Sequence, residues 1–260
     1  MRIGCSLLNG GDMKAAAGLG FDYVEFMGKY LVSLQEEEFK ALCRRQKELA
    51  LPVLGINGYC PPQIRMADPG FSPDRIREYA RKCAERAARL GVSYVGIGSP
   101  GSRDLPVDCR KGSARGQMKE FLQITAEEFA GYGMTVCLEA LADCYCNFIN
   151  RLEEAAVLVK ECALPNLALV LDFYNMEHMG EADRELTEWM PHIVHAHISD
   201  DDGSPFQRSY LKPEKADLHQ RRIKGLLQAG YRGGISLEID CPVDRERAAL
   251  SLEILRAAGA

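Results

Sequence analysis

The stretch PDRIREYARKCAERAARLGVSYVGIGSP, Pro73 to Pro100, contains in one line the unit from which the chain is built. Ser72 stands at an N-cap position and Pro73 in the first turn, where its missing N–H costs nothing. Ile76, Tyr79, Ala80, Cys83, Ala84, Ala87 and Leu90 recur at helical spacing and mark one buried face. Gly91 sits where a helix C-cap needs a left-handed residue. The near-continuous apolar run Ser93–Gly98 then reads as a strand buried on both faces, as parallel strands are.

The phrase helix, glycine, strand recurs. Leu19-Gly20 leads into Asp22–Phe26, Tyr132-Gly133 into Met134–Glu139, and Ala229-Gly230 into Gly234–Ile239. Further strand-like runs are Arg2–Ser6, Pro52–Ile56, Leu167–Asp172 and His192–Ile198. Amphipathic stretches fall between them at Gln35–Ala50, at Arg151–Cys162 behind a candidate N-cap Asn150, at Asp217–Ala229 and at Val243–Ala258. Eight strands alternating with helices predict a (β/α)8 TIM barrel, a single domain over residues 1–260. A doubly wound open sheet is the alternative. Its first turn would carry GxGxxG, which Asn9-Gly10-Gly11-Asp12 does not match.

Composition narrows the function. The 260 residues carry a formal charge of −5 and no basic block, which argues against nucleic acid and an anionic membrane surface. No apolar run approaches the roughly 20 residues of a membrane span. The opening MRIGCSLLNG lacks a signal-peptide core and reads as a first strand, so a cytoplasmic protein is expected. The ten cysteines show no CxxC pair and read as reduced, small hydrophobes, with Cys144 and Cys146 the one close pair.

Four strands end in residues that bind metals: MTVCLE at Glu139, LALVLD at Asp172, HIVHAH at His197 and GISLE at Glu238. In a TIM barrel the carboxyl ends of the strands form the active face. Three carboxylates brought together there repel one another unless a cation neutralises them. Three oxygens and one nitrogen suit Mn²⁺, Mg²⁺ or Co²⁺, with Zn²⁺ a further candidate. Two remaining positions would take the carbonyl and hydroxyl of a sugar, and the metal would acidify the adjacent C–H. Glu139 and Glu238 are then the expected acid/base pair, moving a proton through an enediolate.

Other residues near the strand ends are candidates for the pocket. Glu25 ends the second strand and is placed to bond a substrate hydroxyl or to form a salt bridge in the barrel mouth. His195 shares the parity of His197 one layer deeper, as a pocket or supporting residue. Asn57 and Tyr59 follow the third strand, and Ser99-Pro100-Gly101-Ser102 the fourth. Arg103, Arg110, Lys111, Arg208 and Lys212 are basic candidates to hold a phosphate. Asp200-Asp201-Asp202 reads as a solvated turn, with Asp200 placed to orient a ligand or bind Arg208.

GFDYVE (20–25), ARLGVSYVGIGSPG (88–101), VCLEALADCYCNFIN (136–150), LALVLDFYN (167–175), HIVHAHISD (192–200) and YRGGISLEI (231–239) together resemble the sugar phosphate isomerase/epimerase superfamily, the xylose isomerase-like TIM barrels. The resemblance implies the same four metal ligands, with Glu139 and Glu238 doubling as acid and base. It also implies substrate contacts at Asn175, where the family usually carries histidine, and at the arginine after the strand-seven histidine, here Arg208. Ketose epimerases of this kind resemble an Asn-Arg-x-Glu run after the strand-five glutamate, where this chain has Ala142-Asp143-Cys144-Tyr145. The expected activity is isomerisation or epimerisation of a small sugar, sugar phosphate or related hydroxy-carbonyl compound, by a chain that also has room to form a homo-oligomer. The alternatives are dehydration of a polyol-like ketone on the same site, and sugar binding without catalysis. A multi-metal endonuclease of related fold would need more histidines than the five present, and a basic face.

Overall fold

A computed structural model describes residues 1–109 and 111–259, Lys111 by its backbone alone. Eight strands close into one barrel: β1 Arg2–Leu7, β2 Tyr23–Met27, β3 Val53–Asn57, β4 Tyr94–Ile97, β5 Thr135–Glu139, β6 Leu167–Asp172, β7 Ile193–Ile198 and β8 Gly234–Leu237. Each strand pairs in parallel with its sequence neighbours, and β8 closes on β1 with Arg2 opposite Gly234. This closure excludes the open doubly wound sheet. No described helix is long and apolar enough to cross a membrane.

The helix Pro73–Leu90 has the bounds its periodicity predicts, and Gly91 ends it at φ 79°, with its N–H on the Ala87 and Ala88 carbonyls. The Ser72 side chain makes no capping bond, so proline and burial start this helix without it. Asn150 is not a cap either. Its amide donates to the Leu141 and Cys146 carbonyls, and the Glu154 carboxylate accepts the Asn150 and Arg151 N–H groups instead. The helix accordingly starts at Leu152.

Apolar side chains fill the layer between barrel and helices. Inside the barrel, a smaller cluster of Tyr23, Tyr94, Cys137, Ala168 and Val170 plugs the lower half. Strand alternation puts Glu25, Glu139, Asp172 and His197 on the same inward parity, higher along the axis. The upper half of the barrel interior is therefore polar. All ten cysteines are free thiols.

Candidate metal centre

Glu139 and Asp172 are the last residues of β5 and β6, His197 is the penultimate residue of β7, and Glu238 follows β8 directly. Because these strands are consecutive in the barrel, the four side chains converge. One ligand atom from each lies within 4.8 Å of all the others. None of the four is more than 9% exposed. The close approach needs Gly98, just past β4, because a Cβ there would lie 2.5 Å from Glu139 Oε2.

The carboxylates are aimed by their neighbours. Asp172 Oδ1 accepts the Tyr174 N–H at 2.7 Å and the Asn175 N–H at 3.2 Å, capping the helix Phe173–His178. Asp172 Oδ2 is thereby left to face the centre. Asn175 Nδ2 donates to that oxygen at 2.9 Å and to Glu139 Oε1 at 3.2 Å, while its Oδ1 accepts the Ala142 N–H at 3.1 Å. Asn57 Nδ2 donates to Glu238 Oε1 at 3.1 Å. The Arg208 guanidinium, 4.7 Å above the Tyr174 ring, bridges Asp172 and Glu238.

Charge follows from burial and these partners. Burial raises the Glu139 carboxyl, reinforced by the nearby Asp172 charge, and outweighs the attraction of His197. Burial also acts to raise Asp172, but Arg208 and His197 hold its carboxyl below the usual range. For His197, burial disfavours the imidazolium, yet Glu25 and Glu139 overcome this and raise it to about 10.

This donor set fits a divalent cation. His197 Nδ1 is buried and has no hydrogen-bond partner among the described residues. It lies 3.6 Å from Glu139 Oε1 and 3.4 Å from Glu238 Oε2. With its pKa raised, His197 carries a proton on both nitrogens in the metal-free centre. A cation among these atoms would displace the one on Nδ1, take its lone pair and offset three clustered carboxylates.

A cavity of about 210 Å³ opens over Glu139 and Glu238. Asn57, Asn175 and Arg208 line it, as do Lys29, Tyr145 and Asp240. Lys29 and Asp240 were not singled out from the sequence. Lys29 lies two residues beyond the end of β2 and Asp240 three beyond the end of β8, and that nearness to a strand end is the signal that would have found them. A larger groove of about 450 Å³ between the helix Ala216–Gln228 and residues 182–187 contributes to neither metal-capable group among the described residues.

The remaining candidates are placed as follows. Glu25 and His195 are fully buried below these four side chains and do not line the cavity. The Tyr59 ring is turned outward among Tyr79, Phe121 and Phe129, in the helix layer rather than the pocket. Arg103 is fully buried and donates to the Glu139 and Ile97 carbonyls, so it ties the ends of β4 and β5 together. Lys212 faces Asp201 at 3.6 Å. Arg110 and the Lys111 side chain lie outside the described residues. Asp200 is buried, not solvated, and does not bind the Arg208 side chain. It belongs to a two-stranded ribbon, Asp200–Asp201 with Arg208–Ser209, and bonds His219 at 2.8 Å and Lys215 at 3.0 Å. This ribbon carries Arg208 back over the centre.

The sequence profile of the xylose isomerase-like TIM barrels matches residues 13–258. No curated protein sequence matches the chain. Among solved structures, a 3-keto-D-glucoside 4-epimerase from E. coli superposes with a TM-score of 0.77 at 23% identity, covering 99% of each chain. A D-psicose 3-epimerase gives 0.79 at 16% identity, again over 99% of each chain. An AP endonuclease, family 2, from Brucella melitensis gives 0.73 at 21% identity, over 96% of this chain and 97% of that one. At these identities the likeness is one of fold.

Proposed function

The chain belongs to the xylose isomerase-like TIM barrels, and from that membership and the geometry of the centre we propose that it is a divalent-metal-dependent isomerase or epimerase of a small sugar or sugar-derived hydroxy-carbonyl compound. The observation that carries this reading is the convergence of Glu139, Asp172, His197 and Glu238 within 4.8 Å at the active face of the barrel. The epimerases among the fold's relatives support it: their named reactions, 4-epimerisation of a 3-keto-D-glucoside and 3-epimerisation of D-psicose, both invert a carbon beside a ketone.

Three oxygens and one nitrogen suit Mn²⁺, Mg²⁺ or Co²⁺, which when bound polarises a carbonyl and lowers the barrier to removing the neighbouring proton. The residues then divide the work. Asp172, held ionised beside Arg208 and with one oxygen spent on a helix cap, serves as a ligand only. Glu139 and Glu238 come from β5 and β8, which flank β6 and β7, so they reach the centre from the two ends of the ligand arc. One takes the proton from carbon and the other returns one. Asn57 and Asn175 fix the orientation of the two glutamates. Asn175 spends both of its N–H groups in doing so, whereas Asn57 spends one and keeps the other for the substrate at the cavity wall. Arg208 offers the guanidinium there.

Lys29 and Asp240 present a donor and an acceptor to substrate hydroxyls at the mouth. Tyr145 stands where ketose epimerases carry a glutamate, so the hydroxyl pattern read here differs from theirs.

A panel of free and phosphorylated ketoses and 3-keto-glucosides, incubated in D₂O with Mn²⁺-loaded protein, tests the reading. Deuterium on the carbon beside the carbonyl, in both recovered substrate and product, is the expected result. Loss of water without exchange into recovered substrate would make the chain a dehydratase. Neither turnover nor exchange with any member would leave a sugar-binding barrel and overturn the proposal.

A further inference from the structure

We propose that Glu25, braced by His195 and Tyr94, is the positioning residue of the metal centre: it holds the Nε2–H of His197 and so turns Nδ1 toward the three carboxylates. The proposal rests on the metal-centre reading above.

Glu25 sits on β2, across the barrel axis from β7, and is fully buried. A carboxylate with no water around it must be satisfied by fixed donors, or its burial costs several kcal/mol. Here both oxygens are used. Oε1 accepts from His195 Nε2 at 2.8 Å and from the Tyr94 hydroxyl at 3.1 Å. Oε2 faces His197 Nε2 at 3.2 Å. An ionised carboxylate only accepts, so each ring nitrogen that meets it must carry a proton. For His197 this assigns the proton to Nε2 and makes Nδ1 the nitrogen that can give a lone pair to a cation. Nδ1 is the atom that faces Glu139 and Glu238 and has no hydrogen-bond partner among the described residues.

The brace is built as tightly as the contact. The Tyr94 ring stacks on His195 at 4.1 Å, and His195 meets His197 edge-on at 4.9 Å. Glu25, His195 and His197 also converge closely enough to be read as a second cation site. Glu25 Oε1 and His195 Nε2 already meet at 2.8 Å, and the Tyr94 hydroxyl lies 3.1 Å and 3.3 Å from them, so these atoms are engaged with one another. A hydrogen-bonded brace is what this packing supports. A ring held this way loses little freedom when a cation arrives, and its coordinating nitrogen is settled beforehand.

Glu25→Gln keeps the shape but leaves one acceptor oxygen for two ring N–H groups. Mn²⁺ binding to metal-stripped wild type, Glu25→Gln and Glu238→Gln, followed by electron paramagnetic resonance, reads the effect. Glu25→Gln should weaken Mn²⁺ binding by about 10- to 100-fold, the range expected when the partner behind a metal-bound histidine is lost. Histidine ¹⁵N–¹H spectra of Zn²⁺-loaded wild type supply a readout that survives even if the variant fails to fold. They should show His197 protonated on Nε2 and coordinated through Nδ1. Coordination through Nε2, or an unchanged Mn²⁺ affinity in folded Glu25→Gln, overturns the positioning role alone. Wild type that binds no Mn²⁺, or Glu238→Gln that binds as wild type does, overturns the metal centre and this role with it.

Discussion

Gly98→Ala is a one-methyl probe of the metal centre. Gly98 is buried just past β4, and no positive φ reserves its backbone for glycine. The added methyl would lie 2.5 Å from Glu139 Oε2, where ordinary contact begins at 3.4 Å. The carboxylate must therefore retreat by about 0.9 Å, while metal–ligand distances tolerate roughly 0.2 Å. Glu139 is the far end of a flexible side chain, so the fold can absorb this at about 1–2 kcal/mol, a melting shift of a few degrees for a domain of this size. The metal cannot. Isothermal titration of the stripped protein with Mn²⁺ should show affinity reduced by at least about tenfold, with the far-ultraviolet spectrum and melting curve near wild type. Gly116→Ala, where nothing lies within 4 Å of the new methyl, should leave affinity unchanged and serves as the control. Wild-type affinity in folded Gly98→Ala would refute the reasoning, because Glu139 could then not be a ligand in the observed position.

Other substitutions test neighbouring parts. Burial acts to raise the Asp200 carboxyl, but hydrogen bonds from His219, the Lys212 N–H and Lys215 hold it at about 2, against an ordinary 3.8. The folded value is the lower one, so this contribution is complete above about pH 4 and is lost as pH falls toward 2. Asp200→Asn should cost about 2 kcal/mol at pH 7, and urea midpoints of variant and wild type should converge below pH 4. A gap independent of pH would contradict this. Arg103→Met removes two charge-assisted bonds to buried carbonyls, each worth about 1.5–3 kcal/mol, and should destabilise the fold by about 3 kcal/mol or more in urea. A loss under about 1 kcal/mol would mean the β4–β5 tie is unimportant. Asn175→Ala deletes the amide that orients both Glu139 and Asp172 and accepts the buried Ala142 N–H, and should weaken Mn²⁺ about tenfold while lowering metal-free stability by about 1–3 kcal/mol in urea.

The barrel was legible because buried parallel strands are written as apolar runs and because glycine closes the helices before them. The convergence of Glu139, Asp172, His197 and Glu238 was legible because each comes at or next to a strand end, where parity and height along the barrel axis are fixed together. Glu25 and His195 show where that logic stops. Parity turns them inward, but their height depends on the stagger of β2 against β7, which no single strand encodes. Placement beneath the four converging side chains, rather than in the cavity, follows only from the closed register. Arg208 and Asp200 depend on a ribbon formed by two residues on each side of a loop, too short to leave a periodic signal. Asp200 looked solvated because its neighbours in sequence are acidic, whereas its partners His219 and Lys215 arrive from the next helix and the turn before it. Tyr59 misled for a related reason: it follows a strand end, but its ring finds Tyr79, Phe121 and Phe129 on the outer side.

Metal stoichiometry tests the reading of the four strand ends most directly. Protein stripped with chelator and dialysed against Mn²⁺ should bind one ion per chain. Asp172→Asn and Glu238→Gln should each reduce that binding sharply while remaining folded. Wild type that binds no ion, or variants that bind one as tightly as wild type, would contradict it.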